Sequence, residues 1–362
     1  MQLKKIGIGI ASIALAFAFA ACGGNSATNT TTTSAPPPPA TTATDTSTDT
    51  STAATDTYGL QVKDTNGDGL ITLGFSQVGA ESGWRIANTQ SYQDFFVPAN
   101  GYKLVFVSAN NDADKQKQDV RDLINNQDVE VIDVAPVTDS GWEPILQEAK
   151  DAGIPLIVSD RQLMVDDGLY LTYFGGNMLA EGQRACDWLK QYITDNNMTD
   201  VSIVHLQGTI GSTAQVGRSQ ALTDALAANS SWNVVYEQTG NFTQTDGQTA
   251  MEAFLNQNKP FTILYSENDD MTYGAIDAMK NHGLDPKNYV IISFDGNKSA
   301  VQMVIDGIIN VIGQCNPLLG PQVGQLIQDS MAGKAIPKVT YSDEVLITPD
   351  NAADQLKVAF GS

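Results

Sequence analysis

The chain has few basic residues, few cysteines and few histidines for its length. Its 362 residues include 20 lysines and arginines against 41 aspartates and glutamates, so the formal net charge is −21. Binding to nucleic acid requires clusters of Lys and Arg that neutralise phosphates, and this balance argues against such a partner. The three cysteines and two histidines are far apart in sequence, which argues against a Cys/His zinc site and against a disulfide framework.

Several motifs of catalysis and nucleotide binding are also missing. The sequence contains neither G-x-G-x-x-G nor G-x-x-x-x-G-K-[ST], the two glycine-rich phosphate loops, and it has no G-x-S-x-G nucleophile elbow. His205 lies inside an apolar strand pattern and His282 in a polar helix end, so both are interpreted as core or surface histidines. No cofactor and no metal site is predicted.

The first residues have the pattern of an export signal. Lys4 and Lys5 precede an apolar run over residues 6–21, which is too short for a good membrane span. The run ends in F-A-A-C-G-G and resembles a bacterial lipobox, in which the cysteine, here Cys22, becomes the lipidated first residue. The alternative is an ordinary secretory signal with a coincidental cysteine. Either way, residues 1–21 predict an exported protein, held at the outer face of the cell membrane or in the periplasm.

Residues 22–57 are rich in Thr, Ser, Ala, Pro and Asp and include four consecutive prolines at 36–39. Such a composition buries too little apolar surface to offset chain entropy, so we expect a disordered tether. It would join a lipid anchor to the folded body, and this anchor would be the protein's sole attachment to the membrane.

A short acidic segment after the tether matches the opening of a calcium loop. In D-T-N-G-D-G, Asp64, Asn66 and Asp68 occupy alternate positions. The twelfth position, which needs a bidentate glutamate, is Phe75, and an apolar strand pattern already begins at Leu70. The pattern favours a polar turn before the first strand, with a weak ion site as the alternative.

From Leu70 onward, short apolar runs alternate with amphipathic stretches, which is typical of βαβ units with buried parallel sheets. One series ends near Gly175 and a second follows it. We therefore predict an α/β protein with two doubly wound parallel-sheet lobes. The part of the chain that follows the tether, residues 58–362, exceeds the roughly 250–300 residues at which a single hydrophobic core stops growing. Ligands of open α/β sheets bind at the carboxyl ends of the strands, so a cleft between the lobes is the expected site.

Polar and aromatic side chains recur at those predicted strand ends. They are Ser76, Glu81, Trp84, Arg85, Asp160, Arg161, Arg218, Asn268, Asp295 and Gln314. Carboxylates, amides and guanidinium groups match the donors and acceptors of vicinal hydroxyls, and a flat indole suits the C–H face of a sugar ring.

The motifs at these positions resemble one known family. They are G-F-S-Q-V-G-A-E-S-G-W-R, A-P-V-T-D-S-G-W-E-P, A-K-D-A-G-I-P-L-I-V-S-D-R, L-Q-G-T-I-G-S, S-E-N-D-D-M and S-F-D-G, in chain order. Over residues 70–356 the chain resembles the periplasmic sugar-binding proteins of ABC transporters, of the ribose/galactose type. Its first and fifth motifs resemble the galactofuranose-binding branch most closely.

The resemblance implies the type I periplasmic binding protein fold, with three crossovers forming a hinge near residues 175–177, 314–316 and 342–345. The lobe boundaries that it implies are residues 58–176 with 315–344, and residues 177–314 with 345–362.

The resemblance also implies roles for the site residues. Asp160 and Arg161 would hold sugar hydroxyls from the first lobe, with Trp84 stacked on the ring. The remaining ligand contacts would come from Ser76, Glu81, Arg85, Arg218, Asn268, Asp295, Gln314 and the aromatic Phe242, which packs on the opposite sugar face. Gln244 replaces the family's basic residue, and residues 108–112 also depart from the pattern, so the sugar and its anomer stay open.

Several of these residues also have purely structural interpretations. Asp160 and Arg161 could form a surface ion pair, and Trp84 or Phe242 could belong to the core. Trp142 and Glu143 fit packing and capping at a helix start. Asp269 and Asp270 could cap the helix that they begin. A disulfide between Cys186 and Cys315 is left open.

The function predicted from these residues is capture of a monosaccharide and its delivery to an ABC permease by a monomeric, lipid-tethered receptor. A chemosensory receptor for a furanosyl ligand is the alternative among binding proteins. An exported carbohydrate-active enzyme, using a carboxylate pair among Glu81, Asp160 and Asp295, is the alternative of another class. A repressor is disfavoured, since the chain carries an export signal and no DNA-binding headpiece.

Overall fold

The fold is described from a computed structural model that covers residues 58–126 and 128–361. The predicted signal peptide, Cys22 and the tether lie outside these residues. Strands and helices alternate along the chain as β1 (Ile71–Gln77), α1 (Gly83–Phe95), β2 (Tyr102–Ser108), α2 (Ala113–Ile124), β3 (Val131–Val134), α3 (Glu143–Asp151), β4 (Leu156–Ser159), β5 (Thr172–Gly175), α4 (Met178–Asp195), β6 (Val201–Gln207), α5 (Thr213–Ala228), β7 (Trp232–Thr239), α6 (Gln244–Leu255), β8 (Ile263–Ser266), α7 (Asp269–Asn281), β9 (Val290–Asp295), α8 (Lys298–Ile305), β10 (Val311–Gln314), α9 (Gly320–Met331), β11 (Val339–Tyr341), β12 (Leu346–Ile347) and α10 (Ala352–Gln355).

The strands form two six-stranded sheets. The first has the order β11-β5-β4-β3-β1-β2 and the second the order β12-β10-β9-β8-β6-β7. All pairs are parallel except β10 with β12, which is antiparallel. Parallel strands need crossover helices, and those helices cover both faces of each sheet. The predicted α/β fold with two parallel-sheet lobes is confirmed.

The central strands are short apolar runs because both of their faces are buried. Every residue of β1, β3, β4, β8 and β9 is buried, whereas the edge strands β2 and β7 are partly exposed. Each sheet is packed between two apolar clusters contributed by its own helices. Removal of this much apolar surface from water is the main driving force for folding of each lobe.

The chain passes between the two sheets three times, after β5, after β10 and after β11. We call the three connecting segments, residues 175–177, 314–316 and 342–345, the hinge. The residue boundaries assigned above to the two lobes stay a prediction. None of the helices in the described part of the chain has the length and apolar character that crossing a membrane requires.

Some local features differ from the sequence expectations. Strand β5 was not predicted separately, because its four residues T-Y-F-G end in the glycines interpreted as a connection. Helix α7 is capped by the side chain of Asn268, which accepts a hydrogen bond from Met271 N. Asp269 and Asp270 therefore lie in the first turn and are free for other contacts.

The D-T-N-G-D-G segment forms the polar turn that its pattern favours. Asp64 accepts hydrogen bonds from the backbone N–H groups of Gly67 and Gly69, at 2.6 and 2.9 Å. Asp68 accepts one from Leu70 N and forms an ion pair with Lys103. The carboxylates of Asp64 and Asp68 therefore accept hydrogen bonds from the turn itself or pair with Lys103.

The two cysteines of the folded body carry free, buried thiols. Cys186 belongs to an apolar cluster of the second sheet, whereas Cys315 lies in the hinge. Trp142 is also a core residue, fully buried, with its indole N–H donating to Thr138 O at 2.9 Å.

His205 is a buried histidine with acidic partners on both ring nitrogens. Its Nδ1 lies 2.9 Å from Glu237 Oε2, and its Nε2 lies 2.9 Å from Glu267 Oε1. Burial opposes the charged ring, but these two contacts prevail and raise the pKa of His205 to about 9. His205 therefore holds β6 to its neighbours β7 and β8.

Candidate functional site

A polar cavity lies between the carboxyl ends of the strands of the two sheets. Its empty volume is about 310 Å³, which includes space open to solvent. Its lining comes from both lobes and the hinge and comprises Glu81, Ser82, Trp84, Arg85, Asp160, Arg161, Met178, Ala214, Arg218, Phe242, Asn268, Asp295 and Cys315.

In the first lobe, two arginines and two carboxylates form one ion-pair network. Arg85 Nη2 lies 2.7 Å from Asp160 Oδ2, and Arg85 Nε lies 2.9 Å from Glu81 Oε1. Arg161 Nη2 lies 3.7 Å from the same Glu81 oxygen, and its Nη1 donates to Val137 O at 3.2 Å. All four charged side chains are buried. Asp160 and Arg161 are therefore not a surface ion pair.

Arg218 is the corresponding centre of the second lobe. Its Nε and Nη2 donate to Glu181 Oε2 at 2.9 and 2.7 Å. Its Nη1 donates to Glu267 O at 2.5 Å, and its Nη2 lies 3.3 Å from Asp295 Oδ1. The guanidinium is buried and ties α5 to α4, to the end of β8 and to β9.

Burial and neighbouring charges shift the pKa values of this site in different directions. Burial would raise the pKa of Glu81, but the charges of Arg85 and Arg161 outweigh it and lower the value. Burial raises the pKa of Asp295 well above its usual value, with Arg218 opposing the shift and Asp269 adding to it. Burial and the charge of Arg85 lower the pKa of Arg161.

Apolar side chains complete two walls of the cavity. Trp84, in the first turn of α1, is 5% exposed, and its Nε1 donates to Cys315 O at 2.9 Å. Trp84 and Phe242 belong to one small cluster shared by the two lobes. Gly208 leaves the space that the Phe242 ring fills, because a Cβ at this position would lie 1.9 Å from that ring.

Three residues that line the cavity adopt left-handed backbone conformations. Their φ angles are 62° for Asp160, 94° for Asp295 and 63° for Phe242. Non-glycine residues rarely adopt positive φ, and such strain is concentrated at functional sites. The strand ends thus turn sharply at the points where their side chains reach the cavity.

The two lobes contact each other around the cavity. Gly83 N donates to Asp270 Oδ2 at 3.0 Å, and Gln162 N donates to Thr213 Oγ1 at 3.0 Å. The Arg161 guanidinium lies 5.6 Å from the centre of the Phe242 ring, a cation–π contact across the cleft. The structure therefore represents a closed arrangement of the lobes.

Nine of the predicted ligand-binding residues line this cavity, and two do not. Ser76 is fully buried in β1 behind the cavity wall. Gln314 lies in the hinge, where its Oε1 accepts a hydrogen bond from Val345 N at 3.1 Å. Gln314 is the last residue of β10 and contacts the third crossover, whereas Ser76 is the last but one of β1 and is covered on all sides.

Four lining residues were not predicted: Ser82, Met178, Ala214 and Cys315. Ser82 caps α1, and Met178 and Ala214 lie in the first turns of α4 and α5. Helices that follow parallel strands begin at the carboxyl edge of the sheet, so their first turns were the signal available in the sequence. Cys315 follows Gln314 directly and carried no signal of its own.

Comparisons with known proteins agree with this architecture. The periplasmic binding protein domain family matches residues 74–335. The galactofuranose-binding protein YtfQ of Escherichia coli is 34% identical over 79% of this chain and 91% of its own length.

Two solved structures show the same similarity. A Mycobacterium smegmatis protein in complex with β-D-fucofuranose has 36% identity and a TM-score of 0.75, over 79% of this chain and 94% of its own. The binding protein of the arabinose ABC transporter from Shewanella, bound to L-arabinofuranose, has 34% identity and a TM-score of 0.73. The match covers 79% of this chain and 95% of the Shewanella chain. With its two parallel-sheet lobes, this chain belongs to the periplasmic binding protein family.

Proposed function

We propose that this protein captures a neutral monosaccharide in its furanose form between the two lobes and delivers it to an ABC permease. The observation that carries the proposal is the internal pairing of charge in the cavity. Three arginines face Glu81, Asp160, Glu181 and Asp295, and each arginine lies no more than 3.7 Å from at least one of these carboxylates. The charged groups are therefore paired within the protein and need no charged ligand, as suits an uncharged polyol.

The same groups offer hydrogen bonds to hydroxyls from several directions. Carboxylates accept, guanidinium groups donate, and Asn268 does both. Trp84 and Phe242 supply apolar surface for C–H groups of the ring. Many hydrogen bonds formed in a desolvated cleft, with little apolar area, are the usual basis of such recognition. We propose the nine lining residues of the predicted set as the ligand contacts.

The furanose form is favoured by relatives of more than 30% identity. Their names or ligands specify galactofuranose, β-D-fucofuranose and L-arabinofuranose. Ribose-binding and fructose-binding relatives are less similar, at 29% identity or below. We therefore propose a five-membered ring rather than the pyranose form of galactose.

Binding rather than bond cleavage is the chemistry proposed. Glu81, Asp160 and Asp295, the candidate glycosidase carboxylates, each lie in an ion pair with an arginine. An ion pair restricts the exchange of protons that a general acid or base requires. We propose a monomer that works by opening and closing about the hinge.

Calorimetry with D-galactose, L-arabinose, D-fucose and D-ribose tests the proposal. We expect at least one neutral sugar to bind more tightly than about 1 mM, and galacturonate, its charged analogue, not to bind. A sugar labelled with ¹³C at its anomeric carbon would show by NMR which ring form is bound. Absence of any neutral ligand, preference for the acid, or turnover of the sugar would contradict the proposal.

We propose that the mature chain is anchored through lipid on Cys22. In cells fed a labelled fatty acid, the full chain should carry the label and sediment with membranes. Cys22→Ser should lose both properties, because the thiol is the attachment point, while its sugar affinity stays unchanged. Labelling of the Cys22→Ser variant would contradict the anchor.

A further inference from the structure

Two glutamates and a cysteine meet at the hinge behind the cavity. They are Glu181 at the start of α4, Cys315 after β10 and Glu344 before β12. One carboxylate oxygen of each glutamate and the Cys315 Sγ all lie within 4.8 Å of one another. The three residues come from the three segments of the hinge, or from the turn of helix next to one.

Glu344 has one oxygen with hydrogen-bond donors. Its Oε1 accepts from Asn316 N at 3.1 Å and from Ser342 Oγ at 2.7 Å. These bonds connect the second and third hinge segments. They leave Oε2 as the oxygen able to hold a proton.

The two carboxylate oxygens of Glu181 also differ in their hydrogen-bond donors. Its Oε2 receives two hydrogen bonds from Arg218, whereas its Oε1 is buried and has no donor. Removal of a carboxylate oxygen from water without a hydrogen bond is costly, so a donor is needed at this position.

The two carboxyl groups meet beside Gly176. A Cβ on Gly176 would lie 2.5 Å from Glu181 Oε1, and 3.0 and 3.2 Å from Glu344 Oε1 and Oε2. The glycine thus leaves the room in which the two carboxyl groups meet. Glu181 is fully buried and Glu344 is half-buried, and two carboxyl groups this close share one proton rather than ionise together.

We propose that Glu344 is protonated at neutral pH, donates a hydrogen bond from Oε2 to Glu181 Oε1, and through Glu181 positions Arg218 in the cavity. Glu344 is then a positioning residue that does not touch the ligand. Burial raises the pKa of Glu344 to about 8, with the charge of Glu181 adding to the shift and Ser342 and Asn316 opposing it.

Other titratable groups face this pair from the elements packed around it. They are Cys315, Tyr173 of β5, Arg218 of α5 and, beyond Arg218, Asp295 of β9. Burial raises the pKa of Cys315 and of Tyr173 well above their usual values, so both stay neutral in mildly alkaline solution. Among Glu344, Cys315 and Tyr173, Glu344 is therefore the group whose charge changes there, and Asp295 is present in every variant compared below.

Loss of this proton should lower the affinity for sugar. Opening of the lobes brings water to the pair, so Glu344 holds its proton more tightly in the closed state than in the open state. Sugar affinity should therefore fall as the pH rises from the ordinary range of a solvated glutamate to about 8, where the closed state loses the proton, and should level off above that pH. The second negative charge also draws the Arg218 guanidinium away from the cavity.

Glu344→Gln is the direct test, because an amide reproduces the protonated acid. Its Nε2 can donate to Glu181 Oε1, and its Oε1 can still accept from Asn316 N and Ser342 Oγ. For the wild type we expect affinity for the sugar identified above to fall by up to about tenfold between pH 7 and pH 9.5, because a pKa of about 8 allows a tenfold fall per pH unit only below that value. For Glu344→Gln we expect at least the wild-type affinity at pH 7 and less than about a threefold change over the range.

The exposed neighbour Asp343 provides the matched control. Asp343→Asn removes one carboxylate from the same segment and should keep the full alkaline loss of affinity. His205 also titrates near pH 9, but it is present in all three proteins, so the difference between their profiles belongs to Glu344. An alkaline loss retained in Glu344→Gln would overturn the proposal.

The predicted change of sugar affinity with pH rests on the proposed function, but the predicted protonation of Glu344 does not. Infrared difference spectra of wild type against Glu344→Gln, without sugar, should show a carboxylic acid carbonyl band at about pH 6, where a solvated glutamate is ionised, that disappears by about pH 9.5. If no sugar binds, this band still decides the protonation of Glu344. Absence of the band at about pH 6, or loss of sugar binding in EDTA, which would indicate a divalent ion between the carboxylates, would overturn the proposal.

Discussion

Arg218→Ala should weaken sugar binding by more than about tenfold and destabilise the fold. Arg218 holds Glu181 by two hydrogen bonds and Asp295 at 3.3 Å, and all three side chains are buried. Removal of one partner from a buried ion pair leaves an uncompensated charge, which typically costs about 3–5 kcal/mol. Calorimetry and urea unfolding measure the two effects.

A paired variant separates binding from stability. In Arg218→Met with Glu181→Gln, both members of the main ion pair become neutral, so most of the unfolding free energy should return. Affinity should not return, because the guanidinium that faces the cavity is still absent. Arg218→Lys should be intermediate, since one ammonium cannot form both bonds to Glu181 and also reach Glu267 O. Wild-type affinity in the alanine variant would contradict this role.

Trp84→Ala should reduce affinity by about tenfold to a hundredfold, the equivalent of burying one large apolar side chain. The indole forms a wall of the cavity and donates to Cys315 O at 2.9 Å, so it also connects α1 to the hinge. Trp84→Phe keeps an apolar face and loses only the N–H donor. Its affinity should fall only by about threefold to tenfold, as expected for one hydrogen bond.

Trp142 supplies the matched control for this series. It is fully buried in the first lobe and its indole N–H also bonds a backbone carbonyl, but it does not line the cavity. Trp142→Phe should therefore lower the unfolding free energy by a similar amount and leave sugar affinity unchanged. Equal loss of affinity in Trp84→Phe and Trp142→Phe would mean that general loosening of the lobe, and not contact with the ring, explains the result.

The fold was largely predictable because its signals are local. Short apolar runs such as β8 and amphipathic helices such as α4 are each read from a few adjacent residues. The exception, β5, is a four-residue strand that ends in glycine, and it is recognisable as a strand from its pairing with β4 and β11. Pairing between distant segments leaves no local pattern.

The candidate site was predictable in part because topology places strand ends together. Asp160 and Asp295 follow strands of different sheets, and the rule that ligands bind at carboxyl edges brings both to one cleft. The rule does not say which way a side chain turns there. Ser76, next to the end of β1, is fully buried away from the cavity, whereas Asp160, directly after β4, lines it on a left-handed backbone.

By itself, the sequence determined the class of fold, the pairing of two similar lobes and nine of the side chains that line the cavity at their facing edges. It did so because periodicity and strand-end polarity are properties of neighbouring residues. Only the tertiary structure decided how the cavity's charges pair. It also brought Glu344 to Glu181, which lies more than a hundred residues earlier in the chain. Protonation depends on burial and on the nearest charges in space, and the hinge alone brings these together.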